Sequence, residues 1–277
     1  MTGAAVANGP WFRRYAPRPD APCRVICFGP AGGSPAFFLE WARSGPPELE
    51  VLACVLPGRE ARAAEPPATD LSVLADEVAA AVRPLMDRRT VLFGHSMGAV
   101  LAWETTRRLE AAGGPSPAGL VVSGCSSPEP AGAPAARGDG EPDDQELAAW
   151  LVELGGTPEE LLADPEARAV ILAAFRSDLA LLASHRPQPA PRVRTPLRVL
   201  VGEDDPTVLA ADAERWSGAT ERFAGVRAFP GGHFYLIGRS LGVIAEVLAM
   251  TEPSDPPDRS RSPRTSPAFH HEQTRGR

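Results

Sequence analysis

The hydrophobic residues of this chain fall into short apolar runs that alternate with longer amphipathic stretches. The apolar runs predict six β-strands, at Arg24–Phe28, Glu50–Leu56, Thr90–Phe93, Gly119–Ser123, Leu197–Val201 and Val226–Phe229. Stretches with apolar residues at helical spacing follow most of these runs, at Leu71–Leu85, Ala99–Leu109, Val208–Trp216 and Leu241–Met250. Apolar strands alternating with helices are typical of a mostly parallel sheet covered on both faces, so the pattern predicts an α/β fold.

Three segments depart from this alternation. Residues 1–20 are small, polar and punctuated by proline, and we interpret them as an N-terminal arm. Residues 143–185 contain two or three helical stretches with no strand between them, which predicts a helical insertion at about 126–190, either a lid or a packing elaboration. Residues 252–277 have few large apolar side chains, so we predict a disordered tail. Residues 21–251 then form one domain.

Composition narrows the possible functions. The formal net charge of −7 argues against bulk binding of nucleic acid, which relies on a positive surface. The 28 basic residues are all arginines, which excludes a lysine Schiff base and a Walker-type phosphate site. The four cysteines lack the paired spacing of a zinc site or a disulfide framework. Without a visible secretion signal or membrane span, we expect a cytoplasmic protein.

The candidate nucleophile is Ser96, in the motif Gly94-His95-Ser96-Met97-Gly98. This motif alone is a weak signal, but here it follows the predicted strand Thr90–Phe93 and opens the predicted helix Ala99–Leu109. Small residues two before and two after the serine allow a strained strand-to-helix turn that exposes its hydroxyl. The helix N-terminus also favours negative charge nearby.

Elimination among five histidines favours His233 as the base for this serine. His270 and His271 lie in the predicted tail, and His95 adjoins the serine too closely to reach its hydroxyl oxygen. His185 follows the helical insertion. His233 comes directly after the last predicted strand, where an open α/β sheet places its functional loops.

An acid that orients the base is expected after the preceding strand, where Glu203, Asp204 and Asp205 compete. We choose Asp205, because an aspartate in this position of a strand end is usual in hydrolases and Pro206 rigidifies the loop behind it. Asp204 remains the alternative. The order Ser, Asp, His along the chain is that of α/β-hydrolases.

Two backbone N–H groups are candidates for the oxyanion hole that stabilises charge on the substrate carbonyl. One belongs to Met97, the residue after the nucleophile. The other lies in the glycine-rich loop Gly29–Gly33 after the first predicted strand. Pro30 has no N–H, so Ala31 is the expected donor.

Together these motifs resemble the type II thioesterases, the discrete enzymes that accompany polyketide synthases and nonribosomal peptide synthetases. The resemblance covers roughly residues 10–250 and rests on Trp11-Phe12-Arg13, Phe28–Ser34, Pro57-Gly58-Arg59-Glu60, Gly94–Gly98, Leu154–Pro158, Asp205-Pro206 and Gly231-Gly232-His233-Phe234. It implies an α/β-hydrolase fold with a helical lid and a Ser96–His233–Asp205 triad. It also implies hydrolysis of acyl groups from the phosphopantetheine arm of acyl or peptidyl carrier proteins, which frees blocked synthases. This reaction requires no metal or cofactor.

One departure from the family concerns the oxyanion loop. The family usually has Phe-Pro-His-Ala-Gly-Gly, whereas this chain has Phe28-Gly29-Pro30-Ala31-Gly32-Gly33. Two other functions stay open at this point. The same triad serves a carboxylesterase acting on small esters, and the altered loop suits a weakly active protein that binds carriers as a scaffold. We expect a monomer.

Overall fold

A computed structural model describes residues 10–126, 142–186, 192–208 and 210–252 of the chain. The predicted tail beyond Glu252 lies outside the described residues. The same holds for the first nine residues of the predicted arm and for parts of the predicted insertion, at 127–141 and 187–191.

Seven strands form one sheet, in the order β1-β3-β2-β4-β5-β6-β7. β1 is antiparallel to β3, and every other neighbouring pair is parallel. The strands are β1 (Phe12–Arg13), β2 (Cys23–Phe28), β3 (Leu49–Cys54), β4 (Arg89–His95), β5 (Gly119–Ser123), β6 (Leu197–Gly202) and β7 (Phe223–Phe229). The predicted mostly parallel α/β sheet is thereby confirmed.

The described residues contain eight α-helices. They are α1 (Leu39–Ser44), α2 (Leu71–Val82), α3 (Met97–Ala111), α4 (Asp144–Leu154), α5 (Glu159–Ala163), α6 (Pro165–Ser184), α7 (Ala210–Ala213) and α8 (Ser240–Ala249). Side chains of β2 alternate between two cores, because successive residues of a strand point to opposite faces. Ile26 and Phe28 pack in the core with α2 and α3, whereas Val25 and Cys27 pack in the core with α1 and α8. The sheet is therefore covered on both faces.

The structure corrects three details of the pattern-based assignment. Phe12–Arg13 of the predicted arm form an edge strand, in which Phe12 pairs with Cys54 and is buried. The short helix α1 was not predicted. The predicted helix Val208–Trp216 is replaced by the short helix α7 and a 3-10 segment at Glu214–Ala219. Trp216 is fully buried in this segment, and its indole N–H donates to the carbonyl of Cys125 at 2.8 Å, so tertiary packing overrides the helical spacing.

The predicted helical insertion contains α4, α5 and α6, with no strand among its described residues. Its helix ends follow local rules: Asp143 and Glu146 form a capping box at the start of α4, and Gly155 ends that helix with φ of 80°. The helices share a small apolar core of their own, formed by Leu147, Leu151, Leu162, Leu172 and Phe175. Ala31, from the loop after β2, packs against that core, so the insertion lies over the carboxyl end of the sheet.

Candidate active site

Ser96 occupies a strained turn between β4 and α3. Its φ of 56° and ψ of −121° lie outside the regions that L-residues usually adopt. The backbone N–H of Ser96 donates to the carbonyl of Ser123 at 2.8 Å, which ties the turn to the end of β5. Ser96 is partly exposed while the residues on either side of it are buried. The turn therefore presents this one side chain above the sheet.

Glycines at both ends of the turn make this conformation possible. A Cβ on Gly94 would lie 2.0 Å from the carbonyl oxygen of Gly98, and a Cβ on Gly98 would lie 2.2 Å from the carbonyl oxygen of Phe28. Neither contact is sterically allowed. The motif therefore requires both glycines because the turn folds back on itself and because the start of α3 presses against the loop after β2.

His233 and Asp205 form a buried pair at the ends of the adjacent strands β7 and β6. His233 Nδ1 lies 2.8 Å from Asp205 Oδ2, and the two residues are 3% and 5% exposed. Asp204 and Glu203, the competing acids, are exposed. The structure thus places Asp205, rather than either neighbour, against the histidine.

Thr207 completes the surroundings of Asp205 and is a site residue that the sequence motifs did not indicate. Its backbone N–H and its hydroxyl both donate to Asp205 Oδ1, at 2.8 and 2.7 Å. Burial alone would raise the pKa of Asp205, but the hydrogen bonds from His233 and Thr207 outweigh burial and lower it. A carboxylate that receives a bond from the residue two positions later is a local turn pattern, so the Asp-Pro-Thr sequence held a signal for this role.

His95 is a second buried imidazole, and its contacts bring the serine turn next to His233. Its Nδ1 is hydrogen-bonded to Ser123 Oγ at 2.9 Å, and Ser123 Oγ is hydrogen-bonded to the Tyr235 hydroxyl at 2.7 Å. The rings of His95 and His233 are tilted with centroids 4.9 Å apart. Burial and the nearby His233 hold the pKa of His95 well below its ordinary value, so this ring stays neutral.

The two predicted oxyanion donors lie on neighbouring segments. Met97 is the first residue of α3, so its N–H is one of the backbone groups that the helix leaves unbonded at its N-terminus. Pro30 and Gly33, which flank Ala31 in the loop after β2, line the same small pocket as Met97. This loop is closed by a hydrogen bond from the Gly33 N–H to the Pro30 carbonyl at 3.0 Å.

Within residues 10–126, 142–186, 192–208 and 210–252, no cluster of three or more His, Cys, Asp or Glu side chains is arranged to hold a metal ion. None of the helices in the same ranges is long and apolar enough to cross a membrane.

Comparisons with known proteins agree with the sequence motifs. The family model described as a thioesterase domain matches residues 23–251. The chain is 37% identical over 243 residues to the probable cadicidin biosynthesis thioesterase of Streptomyces griseus, covering 88% of this chain and 66% of that protein. It is 36% identical over 232 residues to thioesterase PikA5 of Streptomyces venezuelae, covering 83% of this chain and 82% of that protein.

A solved structure supports the same assignment. The type II thioesterase BorB, from the borrelidin biosynthetic cluster, superposes with a TM-score of 0.76 and is 35% identical, covering 87% of this chain and 98% of that one. The resemblance on which the sequence analysis relied is therefore confirmed. The chain belongs to the thioesterase family and has the α/β-hydrolase fold of the type II thioesterases that serve polyketide and nonribosomal peptide pathways.

Proposed function

We propose that this protein is a serine thioesterase in which Ser96 is the nucleophile, His233 the general base and Asp205 the residue that orients the base. The observation that carries the proposal is the buried hydrogen bond between Asp205 and His233, next to the strained turn that presents Ser96. An acid bound to Nδ1 leaves Nε2 of the imidazole free to accept the proton of a serine hydroxyl and stabilises the imidazolium that forms.

The reaction has two halves. In the first, Ser96 Oγ attacks the thioester carbonyl while its proton passes to His233, and the tetrahedral intermediate then expels the thiolate, which takes that proton. In the second, His233 removes a proton from water, the resulting hydroxide attacks the acyl ester on Ser96, and the free acid leaves as the serine regains its proton. A thiol has a pKa near 8.5, so its departure needs little help from an acid.

The oxyanion of each tetrahedral intermediate is stabilised in this proposal by the N–H groups of Met97 and Ala31. The positive end of the α3 dipole supports the same charge, since Ser96 directly precedes the helix. Removing one donor of this kind typically lowers kcat by about a hundredfold or more. The Gly29-Pro30 pair leaves the Ala31 N–H in place, so we expect the altered loop to be competent.

The proposed substrates are acyl groups on the phosphopantetheine arm of an acyl or peptidyl carrier protein, and their release would unblock a stalled synthase. This proposal rests on the relatives, which are named as a cadicidin biosynthesis thioesterase, thioesterase PikA5 and the type II thioesterase of the borrelidin biosynthetic cluster. The helical insertion α4–α6 is the proposed lid. A monomer in the cytoplasm, with no nucleic-acid or membrane partner, stays a prediction.

The test measures release of acetyl and propionyl groups from a loaded carrier protein. We expect native protein to release both and Ser96→Ala to release neither above background, whereas Ser72→Ala, on the exposed face of α2, should match native protein. Simple oxygen esters of the same acids should be hydrolysed more slowly. Faster hydrolysis of the oxygen esters would favour a carboxylesterase. Retained carrier binding without any turnover would favour a scaffold.

A further inference from the structure

A buried ion pair connects the loop that carries Ala31 to the longest helix of the insertion. Asp178, on α6, is 4% exposed, and its Oδ2 accepts the backbone N–H of Gly32 at 2.7 Å. The same oxygen pairs with the guanidinium of Arg59. Arg59 in turn donates to the carbonyl of Gly33 at 2.9 Å. Side chains thus hold the first and the third peptide groups after Ala31, and the N–H of the second is bonded to the carbonyl of Pro30.

Backbone packing strengthens this connection. Gly32 has φ of 71°, and a Cβ at this position would lie 3.2–3.3 Å from Cα and Cβ of Phe175 on α6. Arg59 also donates to the carbonyl of Ala174 at 3.4 Å. The loop therefore packs closely against Phe175 of α6, and Arg59 contacts both the loop and the helix.

Burial of the Arg59–Asp178 ion pair has a free-energy cost. Desolvation by burial raises the pKa of Asp178, although the Arg59 charge and the Gly32 N–H both act to lower it. Charged groups removed from water are costly unless each is fully bonded, and removing one partner leaves the other uncompensated. The pair joins the loop Gly29–Gly33 to α6, a helix from a distant segment of the chain. This location favours a role in positioning the loop over a role in overall stability.

We propose that Arg59 and Asp178 are positioning residues that fix the Ala31 N–H in the oxyanion hole and make its position depend on α6. Ala31 precedes the bonded Gly32 by one peptide, so movement of α6 away from the sheet moves this donor too. While the insertion is displaced, the Ala31 N–H would therefore be out of place, and the oxyanion hole would be incomplete. The inference rests on the proposed function, because it assigns the loop an oxyanion.

The experiment compares Asp178→Ala, Asp178→Asn, Arg59→Lys and the Asp178→Ala/Arg59→Lys double variant with native protein. The matched control is Arg176→Ala, which removes an ion pair on the same helix, to Asp144 at 3.0 Å, that does not touch the loop. Two rates are measured. One is turnover of a propionyl carrier, as kcat and KM, and the other is phosphonylation of Ser96 by a small alkyl fluorophosphonate, a reaction that displaces fluoride and places the phosphoryl (P=O) oxygen in the oxyanion hole.

We expect Asp178→Ala to lower kcat and the phosphonylation rate about ten- to a hundredfold with KM changed less than twofold. Asp178→Asn keeps a neutral acceptor for Gly32 and should lose less. The double variant should lose no more than about the worse single variant, because the two residues act as one unit. Arg176→Ala should retain native rates.

Several results would overturn the inference. They are native kcat in folded Asp178→Asn and Arg59→Lys, losses that multiply in the double variant, or an effect confined to KM. If Asp178→Ala does not fold, the two conservative variants decide the matter. Absence of turnover by native protein would instead count against the thioesterase proposal, so the two failures are distinguishable.

Discussion

At the scale of residues, two neighbouring imidazoles have opposite electrostatic surroundings. His233 faces a carboxylate, Asp205, whose pKa is lowered despite burial. His95, with its ring centroid 4.9 Å away, is hydrogen-bonded to the hydroxyl of Ser123, and burial together with the nearby His233 depresses its pKa. The hydrogen bonds that begin at His95 and pass through Ser123 end at the hydroxyl of Tyr235, whose pKa is raised by burial. Positive charge is therefore disfavoured on His95, whereas the carboxylate of Asp205 is hydrogen-bonded to His233.

The lowered pKa of Asp205 predicts a dependence of stability on pH. Its stabilising effect is complete above the ordinary aspartate pKa of about 3.9 and is lost as the pH falls through the lower value of the folded state. At pH 7 we expect Asp205→Asn to lower the free energy of unfolding by about 2 kcal/mol, the contribution of a hydrogen bond to a charged group. Urea unfolding of native protein and variant at pH 3, 4, 5 and 7 measures the difference.

This difference should be smaller at pH 3 than at pH 5, because the stabilising effect of the Asp205 carboxylate is lost as that group is protonated. Asp204→Asn, at the exposed neighbouring acid, serves as control and should follow native protein throughout. A difference that stays constant down to pH 3 would contradict the assignment of Asp205 as the bonded carboxylate.

At the scale of elements, the C-terminal end of α6 is anchored to α2 and α3. Ser184 Oγ accepts the N–H of Leu71 at 3.0 Å, and His185 Nε2 lies 2.9 Å from Glu104 Oε1, with both residues of this second pair buried. Nearer the N-terminal end of α6, Arg176 forms an ion pair with Asp144 of α4, within the same insertion. An open cavity of about 490 Å³ lies beside Glu104 and His185, toward the end of α3 that is farther from Ser96, and neither Ser96, Asp205 nor His233 lines it.

Glu104→Ala should loosen this anchor. Burial alone would raise the pKa of Glu104, but bonds from His185, Arg107 and Arg108 lower it, so it is a buried anion with three partners. Removing it leaves these partners uncompensated, and we expect the free energy of unfolding to fall by about 3 kcal/mol. Urea unfolding checks this value. Glu77→Ala on α2 should change it by less than about 0.5 kcal/mol, since Glu77 is exposed; an equal effect of both variants would refute the anchor.

Prediction from sequence succeeded where the signal was local. The serine turn is specified by Gly94 and Gly98, and the insertion helices begin at capping residues such as Asp143. Contacts between distant segments gave no such signal. β1 exists because two residues pair with β3 and bury Phe12, and the Arg59–Asp178 pair joins positions 119 residues apart. Sequence motifs therefore indicated which side chains could react, but not what holds the oxyanion loop.

At the scale of the whole molecule, the packed domain extends to the residues just after α8. Met250 is 7% exposed and covers Gly119 at the start of β5, where a Cβ would lie 2.6 Å from Met250 Cβ. The hydroxyl of Thr251 donates to the carbonyl of Leu248 at 2.7 Å. The sequence beyond Glu252 has few large apolar side chains, and we predict that the domain does not need it for folding.

Two truncations test this prediction. A chain ending at Glu252 should have the same free energy of unfolding as the full chain within about 0.5 kcal/mol and the same carrier-thioester turnover, because it keeps every contact described above. A chain ending at Ala249 loses Met250 and should be destabilised by about 2–4 kcal/mol, since removal of a buried Met side chain leaves a cavity over β5. Chemical unfolding and propionyl-carrier turnover of the three chains provide the comparison. Destabilisation of the longer truncated chain by as much as the shorter one would show that residues 253–277 contribute to the packed domain.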